Sequence, residues 1–179
     1  MAAKDQFHLN VFVSLAVFDF VKNRLPNRPV SIKWPNDIYV GDRKIAGILL
    51  QNSLINTQIR STVVGIGINI NQTTFITNPP NPTSLRLESG LDYGLADLVP
   101  ALCEFLESRY LQLKAGKIVP LQQAYLRQLY RFGIPSNYQR ASGEAFEGVI
   151  IGIDPTGRLV VSVGGKEETF DLKELRYAV

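Results

Sequence analysis

The chain has 179 residues, 45% of them hydrophobic and 20% charged, with a mean hydropathy of +0.03. A chain of this make-up buries roughly 70% of its unfolded surface, and collagen-like and wholly disordered classes are excluded. The net charge of +3 is too small to argue for nucleic acid, so DNA binding is not expected, although residues 1–60 carry eight basic and four acidic side chains, a bias that suits an anionic ligand.

Residues 7–25 read as a helix. Leu9, Phe12, Val13, Ala16, Val17, Phe20 and Val21 recur at helical spacing, and with Leu15 and Phe18 the helix is apolar nearly all round. Asn10, Ser14 and Asp19 interrupt it, so it is not read as a membrane span. Pro26 and Pro29 end it, and Val30–Trp34 follows as a short strand. Ile38–Val40 and Lys44–Gln51 flank Gly41-Asp42-Arg43 as a hairpin. Ser61–Ile70 is continuous and β-branched, the pattern of a strand buried on both faces. Residues 71–84 lack a core-forming pattern and form a loop long enough to suspect a function. Helices are predicted over 95–115 and 118–131. Beyond Gly133, alternation over Glu144–Asp154, Leu159–Val163 and Glu168–Leu172 predicts a small antiparallel unit that closes into a short barrel. The expected fold is α/β of the α+β type, a mixed, largely antiparallel sheet with helices on one face plus a small C-terminal β-barrel.

The lone Cys103 excludes an internal disulfide, and its apolar setting reads as a buried, inert thiol. His8 has no second ligand nearby, so no protein-held metal is expected. The N-terminus shows no signal-peptide pattern, and a reducing cytoplasm is the expected compartment.

Chemistry concentrates in Lys33-Trp34-Pro35-Asn36-Asp37-Ile38 and, across the hairpin, in Arg43-Lys44-Ile45-Ala46-Gly47. Two lysines beside a carboxylate and a carboxamide suit an anionic intermediate, because an ammonium is a compact charge for phosphate or carboxylate oxygens. Asp37 could stay ionised between the lysines and accept a proton from an attacking amine. Gly65, Gly67 and Asn69 end the long strand, where glycine admits either a ligand close to the backbone or a tightly packed helix. Read alone, Lys33, Asn36 and Asp37 also fit a plain surface turn, and Trp34 fits the core better than a stacking platform.

These blocks resemble the signature of biotin protein ligases. Gly65-Ile66-Gly67-Ile68-Asn69-Ile70-Asn71 and Pro82-Thr83-Ser84-Leu85 are similar to the family's next two blocks, and the C-terminal unit ending Leu175-Arg176 lies in the family's expected place. The resemblance implies a catalytic domain over 1–132 and an SH3-like barrel over 133–179. It implies adenylation of biotin with ATP and Mg²⁺, then transfer to one lysine of the carrier domain of a biotin-dependent carboxylase such as acetyl-CoA carboxylase. Lys44 matches the lysine that meets the biotin carboxylate and the α-phosphate, and Lys33 and Asp37 match the signature pair. Trp34, Asn36, Gly47, Gly65, Gly67 and Asn69 fall on the substrate and nucleotide side. Residues 72–84 match the loop that orders over the adenylate, and Arg176 matches a residue supporting the nucleotide. The family's Gly/Arg-rich clamp lies upstream of the helix at 7–25, and Met1–Gln6 carry nothing resembling it. The expectations are therefore a partial catalytic domain, weak biotin binding by this chain alone, and a second copy or a companion polypeptide covering that helix. A lipoate or octanoate ligase on the same fold and a non-catalytic, carrier-binding remnant stand as alternatives.

Overall fold

In the computed structural model, which describes residues 1–75 and 81–178, the opening apolar run forms α1 (Phe7–Arg24). Phe12, Val13, Leu15, Val17, Phe18, Phe20 and Val21 are all buried on it. One side of α1 packs on the sheet β1 (Val30–Lys33), β2 (Asp37–Val40), β3 (Arg43–Ile55) and β4 (Gln58–Ile68). Its other side is covered by α3 (Leu95–Lys114) and α4 (Ile118–Arg127), with an Arg109–Asp19 ion pair of 2.7 Å between α3 and α1. The expectation that part of this helix lies bare is thereby corrected. An all-round apolar helix is the middle layer of three, and each fully buried aliphatic or aromatic side chain adds roughly 1.5–3 kcal/mol.

The sheet order is β1-β2-β3-β4, antiparallel throughout. Ile32, Ile38, Ala46 and Ile48 turn inward and are buried. The opposite face is open, with Leu49 71% and Val63 68% exposed. The reading of 61–70 as buried on both faces is overturned, since β4 is the outer strand and its exposed residues alternate with half-buried ones. β-Branched content marks a strand without saying whether one face or two is covered. The far edge, β1, is sealed by backbone: the Ile32 amide donates to Gln128 O (2.7 Å), and the Tyr130 amide donates to Ile32 O (2.9 Å).

At the end of the predicted loop Thr83 and Ser84 are fully buried, as is Leu85 just beyond it, where a short helix, α2 (Leu85–Ser89), was not anticipated. Ser84 Oγ caps it by accepting from the Leu87 amide (3.1 Å). Glu88, whose side chain is 1% exposed, pairs with Arg43 (2.7 Å) and accepts a hydrogen bond from Thr83 Oγ1 (2.5 Å). Cys103 is exposed on α3, contrary to the buried-thiol reading, because it lies on the face turned away from α1 and α4.

The C-terminal part forms β5 (Pro135–Arg140), β6 (Ala145–Ile153), β7 (Leu159–Val163), β8 (Lys166–Phe170) and β9 (Leu175–Tyr177). They pair antiparallel in the order β8-β7-β6-β5-β9, and among the described residues β8 and β9 are the two ends of this ladder, without the pairing that would close a barrel. β5 went unread in the sequence because it carries no long alternating run. The β6–β7 turn reaches back to the first sheet, where Trp34 Nε1 donates to Gly157 O (2.9 Å).

Candidate functional site

Lys33, Asp37, Gly47 and Gly67 face one another in register, one on each strand of the first sheet. Residues paired directly across antiparallel strands share a face, so these four form one row on the open side. A regular strand would exclude Lys44 from it, because Lys44 stands three positions before Gly47 and side chains alternate. A β-bulge removes the conflict: Tyr39 pairs with Lys44 while Ile38 pairs with Ala46, leaving Ile45 as the extra residue. Bulges re-aim side chains in this way. Lys44 thus lies on the side of Asp37, and its Nζ meets Asp37 Oδ1 at 2.6 Å.

Lys33 sits between two aromatic rings, with Nζ 4.8 Å from the ring centre of Tyr39 and 4.7 Å from that of Tyr177. It also donates to the Tyr39 hydroxyl (3.1 Å). Burial pushes the Lys33 ammonium below its ordinary pKa, Asp37 pulls it back, and Lys44 and Arg131 push it down further. The Tyr39 phenol is pushed up, by burial first and then by Asp37, with Lys44 opposing. The face therefore concentrates positive charge around a single carboxylate.

The glycines have separable reasons. A Cβ on Gly47 would stand 3.1 Å from Lys44 Nζ and 3.3 Å from Asp37 Oδ1, so the strand must be bare for the ion pair to cross it. Gly47→Ala is expected to leave stability within about 1 kcal/mol, since only the flexible end of Lys44 must move, while weakening anionic-ligand binding about tenfold through displacement of the ammonium. Calorimetric titration beside a denaturant melt checks both halves. A Cβ on Gly65 or Gly67 would meet nothing nearer than 3.8 Å. Internal packing does not require glycine there, which removes the tight-helix explanation and leaves open room above the backbone.

That room continues into a cavity of about 410 Å³ lined by Lys44, Gly47, Gly67, Asn69, Gln72 and Phe75, among others. Asn69 holds its floor. Its amide donates to Ile45 O (2.9 Å), the carbonyl left over by the bulge, and its Nδ2 donates to Thr83 O (2.9 Å). The far rim is stitched to Lys44, whose amide donates to Asn81 O (2.8 Å) and whose carbonyl accepts from the Thr83 amide (2.9 Å). The 72–84 loop expected over the ligand thus has both its described ends at this cavity, and its centre, 76–80, lies outside the described residues.

Asn36 Nδ2 donates to Ile48 O (2.5 Å), which ties the signature turn to β3. Trp34 is buried, as its core reading required. Pro35 O accepts from Asn10 Nδ2 and from the Tyr125 hydroxyl, both at 2.6 Å, so the turn is anchored to α1 and α4. Arg176 is exposed, and among the described residues no hydrogen bond or ion pair joins it to the lysine cluster. Its neighbour Tyr177 reaches Lys33 instead, and alternation along β9 turns Arg176 the other way. Tyr39 and Tyr177 were missed as site residues. Tyr39 was legible, two residues beyond Asp37 on a strand, whereas nothing local marks Tyr177. Among the described residues no group of three or more His, Cys, Asp or Glu is placed to hold a metal.

Residues 2–69 match the model of the biotin/lipoate A/B protein ligase family. The chain is 32% identical over 136 residues to the bifunctional ligase/repressor BirA of Bacillus spizizenii, covering 73% of this chain and 41% of that protein. It is 29% identical over 165 residues to the biotin–[acetyl-CoA-carboxylase] ligase of Mycobacterium tuberculosis, covering 88% and 58%. It therefore spans about two fifths to three fifths of the length of these curated relatives. The fold matches the apo biotin protein ligase of Aquifex aeolicus with a TM-score of 0.77 at 20% identity, over 97% of this chain and 76% of that one. The matched region holds the whole Lys33–Asp37–Gly47–Gly67 row, and the chain is similar in sequence and in fold to biotin protein ligases.

Proposed function

We propose that this chain works in the ATP-dependent formation of biotinyl-5′-AMP and in the transfer of biotin to a lysine of a biotin carboxyl carrier domain, in the cytoplasm. The observation that carries the reading is the Lys44–Asp37 pair, held by a bulge over a glycine floor and flanked by Lys33. A fold neighbour, the Aquifex aeolicus ligase, is known in complex with biotin and ATP, which supports placing an acid and a nucleotide on this face. On this reading residues 1–132 supply the platform and 133–179 a second domain against it.

In the first step a biotin carboxylate oxygen bonds to the α-phosphorus and pyrophosphate leaves. Lys44, released from Asp37, neutralises the carboxylate and the α-phosphate, and Lys33 adds fixed positive charge beside them in a partly dry site. In the second step the carrier lysine's neutral amine attacks the anhydride carbonyl, a C–N bond forms and AMP leaves. Asp37 orients the amine and takes its proton. Magnesium enters with the nucleotide's phosphates, which need few protein carboxylates of their own. Gly65, Gly67 and Asn69 let the adenylate approach the backbone, and Trp34 and Asn36 brace the turn that holds the lysines. Arg176 lies on the side of β9 turned away from Lys33 and would support the nucleotide once β9 turns toward it.

Thermal-shift titration with a non-hydrolysable biotinyl-adenylate analogue, and with its lipoyl and octanoyl counterparts, tests the reading. Stabilisation by the biotinyl form is the expected result. Preference for a lipoyl or octanoyl form would place the chain with the acyl ligases, and no response to any of the three would leave a carrier-binding remnant.

A further inference from the structure

Four of the chain's seven tyrosines meet at one place, the junction between β1–β2 and the C-terminal sheet. The rings of Tyr39 and Tyr130 are tilted against each other with centres 5.5 Å apart, Tyr130 and Tyr177 lie at 5.7 Å, and Tyr177 and Tyr138 at 5.4 Å. Lys33 reaches into this cluster from the first sheet, and the ring that faces it opposite Tyr39 comes from β9, 144 positions further along the chain. The end of β9 is itself pinned there. Arg131 Nη1 donates to Ala178 O (3.1 Å), and the Ala178 amide donates to Asn137 O (3.0 Å).

We propose that Tyr177 is a positioning residue for Lys33: the first sheet borrows its ring from the C-terminal sheet to hold the ammonium beside Asp37, so that docking of the two sheets is a condition for a competent site. This rests on the role given to Lys33 above. The physical basis is the negative face of the ring, which attracts an ammonium about 5 Å away and does so more strongly where water is excluded. The hydroxyl plays no part in it. Tyr177 Oη is buried and, among the described residues, without a hydrogen-bond partner. Burial pushes the Tyr177 phenol well above its ordinary range, so it meets Lys33 as a neutral ring. The other charged or titratable groups around Lys33 are Asp37 and Tyr39 on β2, Lys44 on β3, and Arg131 between α4 and β5.

The ring and the hydroxyl can be separated by substitution. Tyr177→Phe should leave the Lys33 titration unchanged, followed by the NMR shift of its ε-methylene group and assigned by its loss in Lys33→Gln. Stability should hold or rise slightly, since an unpaired buried hydroxyl is removed. Phenylalanines bearing one, two and three ring fluorines at position 177 keep the shape and drain the negative face. Along that series the Lys33 midpoint should fall by about half to one pH unit in total, and affinity for the biotinyl-adenylate analogue should fall about three- to tenfold. These residues replace Tyr177 without a cavity, so the test does not depend on whether Tyr177→Leu folds.

A Lys33 midpoint that does not move across the series overturns the inference. So does a midpoint that moves while analogue affinity stays constant, since Lys33 would then be held but not used. If no protein, parent included, binds the analogue, the proposed function fails, and the titration alone judges whether Tyr177 holds Lys33.

Discussion

Lys44→Ala is expected to slow biotinyl-adenylate formation by about 10²–10³-fold, the usual loss when one fixed charge or donor is removed from a developing anion. Stability should barely change. The Lys44–Asp37 pair is about a third exposed on both sides, and such pairs contribute about 0–1 kcal/mol. Asp37→Ala should act on the other step, sparing adenylation more than transfer, because it deletes the proton acceptor and leaves both lysines in place. Pyrophosphate release reports the first step, and single-turnover transfer from preformed biotinyl-AMP to a carrier domain reports the second. A Lys44→Ala protein that forms adenylate at the parent rate would reject the role given to Lys44. Arginine should not rescue position 44. Its planar fork is larger than an ammonium, and Gly47 leaves just enough room for the lysine chain that is there.

Gly157→Ala should be the most destabilising single methyl in the protein. Gly157 has φ +96°, a conformation costly for a residue with a side chain, and an added Cβ would overlap the Phe7 ring. Backbone strain of about 1–2 kcal/mol and overpacking of about 1–3 kcal/mol together lower the melting temperature by roughly 5–15 °C in a domain of this size. The turn cannot readily retreat. Asp154 Oδ1 accepts from the Thr156 amide (2.8 Å), Thr156 Oγ1 (2.6 Å) and the Arg158 amide (3.0 Å), while its Oδ2 accepts from Arg158 Nε (2.8 Å). Burial alone would raise the Asp154 carboxyl, but these hydrogen bonds outweigh it and hold the pKa well below the usual carboxylate range. Its contribution is therefore present above the ordinary carboxylate pKa and is lost as the pH falls through the depressed one. The strain should pass to Trp34, which donates to Gly157 O, and so to the signature turn. Phe7→Leu in the same chain should recover the overpacking part and not the backbone part. Denaturant melts of the two single variants and the double variant measure this as a coupling energy, and additive losses would show that Phe7 and Gly157 do not share the contact.

Much of the first sheet was legible because its signals are local. Pro26 and Pro29 stop α1, Gly41-Asp42 turns β2 into β3, and Lys33, Asp37 and Gly47 fall on strand positions that an antiparallel register brings together. The same reasoning misjudged burial wherever the answer lay in another element. The pattern of α1 correctly showed a helix without a solvent face, yet its cover, α3 and α4, comes from some ninety residues later. Cys103 sits among leucines in sequence and on an exposed face in space.

By itself the sequence determined the helices and most of the strands, the charged turn with its paired lysines, and the resemblance that names the family. The helices, strands and turn depend on residues within about ten positions of one another, where backbone sterics and periodicity act directly, and the resemblance on the order of such local blocks along the chain. Tertiary structure alone decided which face each group serves. The bulge at Ile45 brings Lys44 to Asp37, because the register of one strand exists only against its neighbour. Tyr177 meets Lys33, and Gly157 meets Phe7 and Trp34, because two sheets far apart in the chain bury one apolar junction between them. Burial removes water without regard to sequence distance, so no local pattern announces such partners.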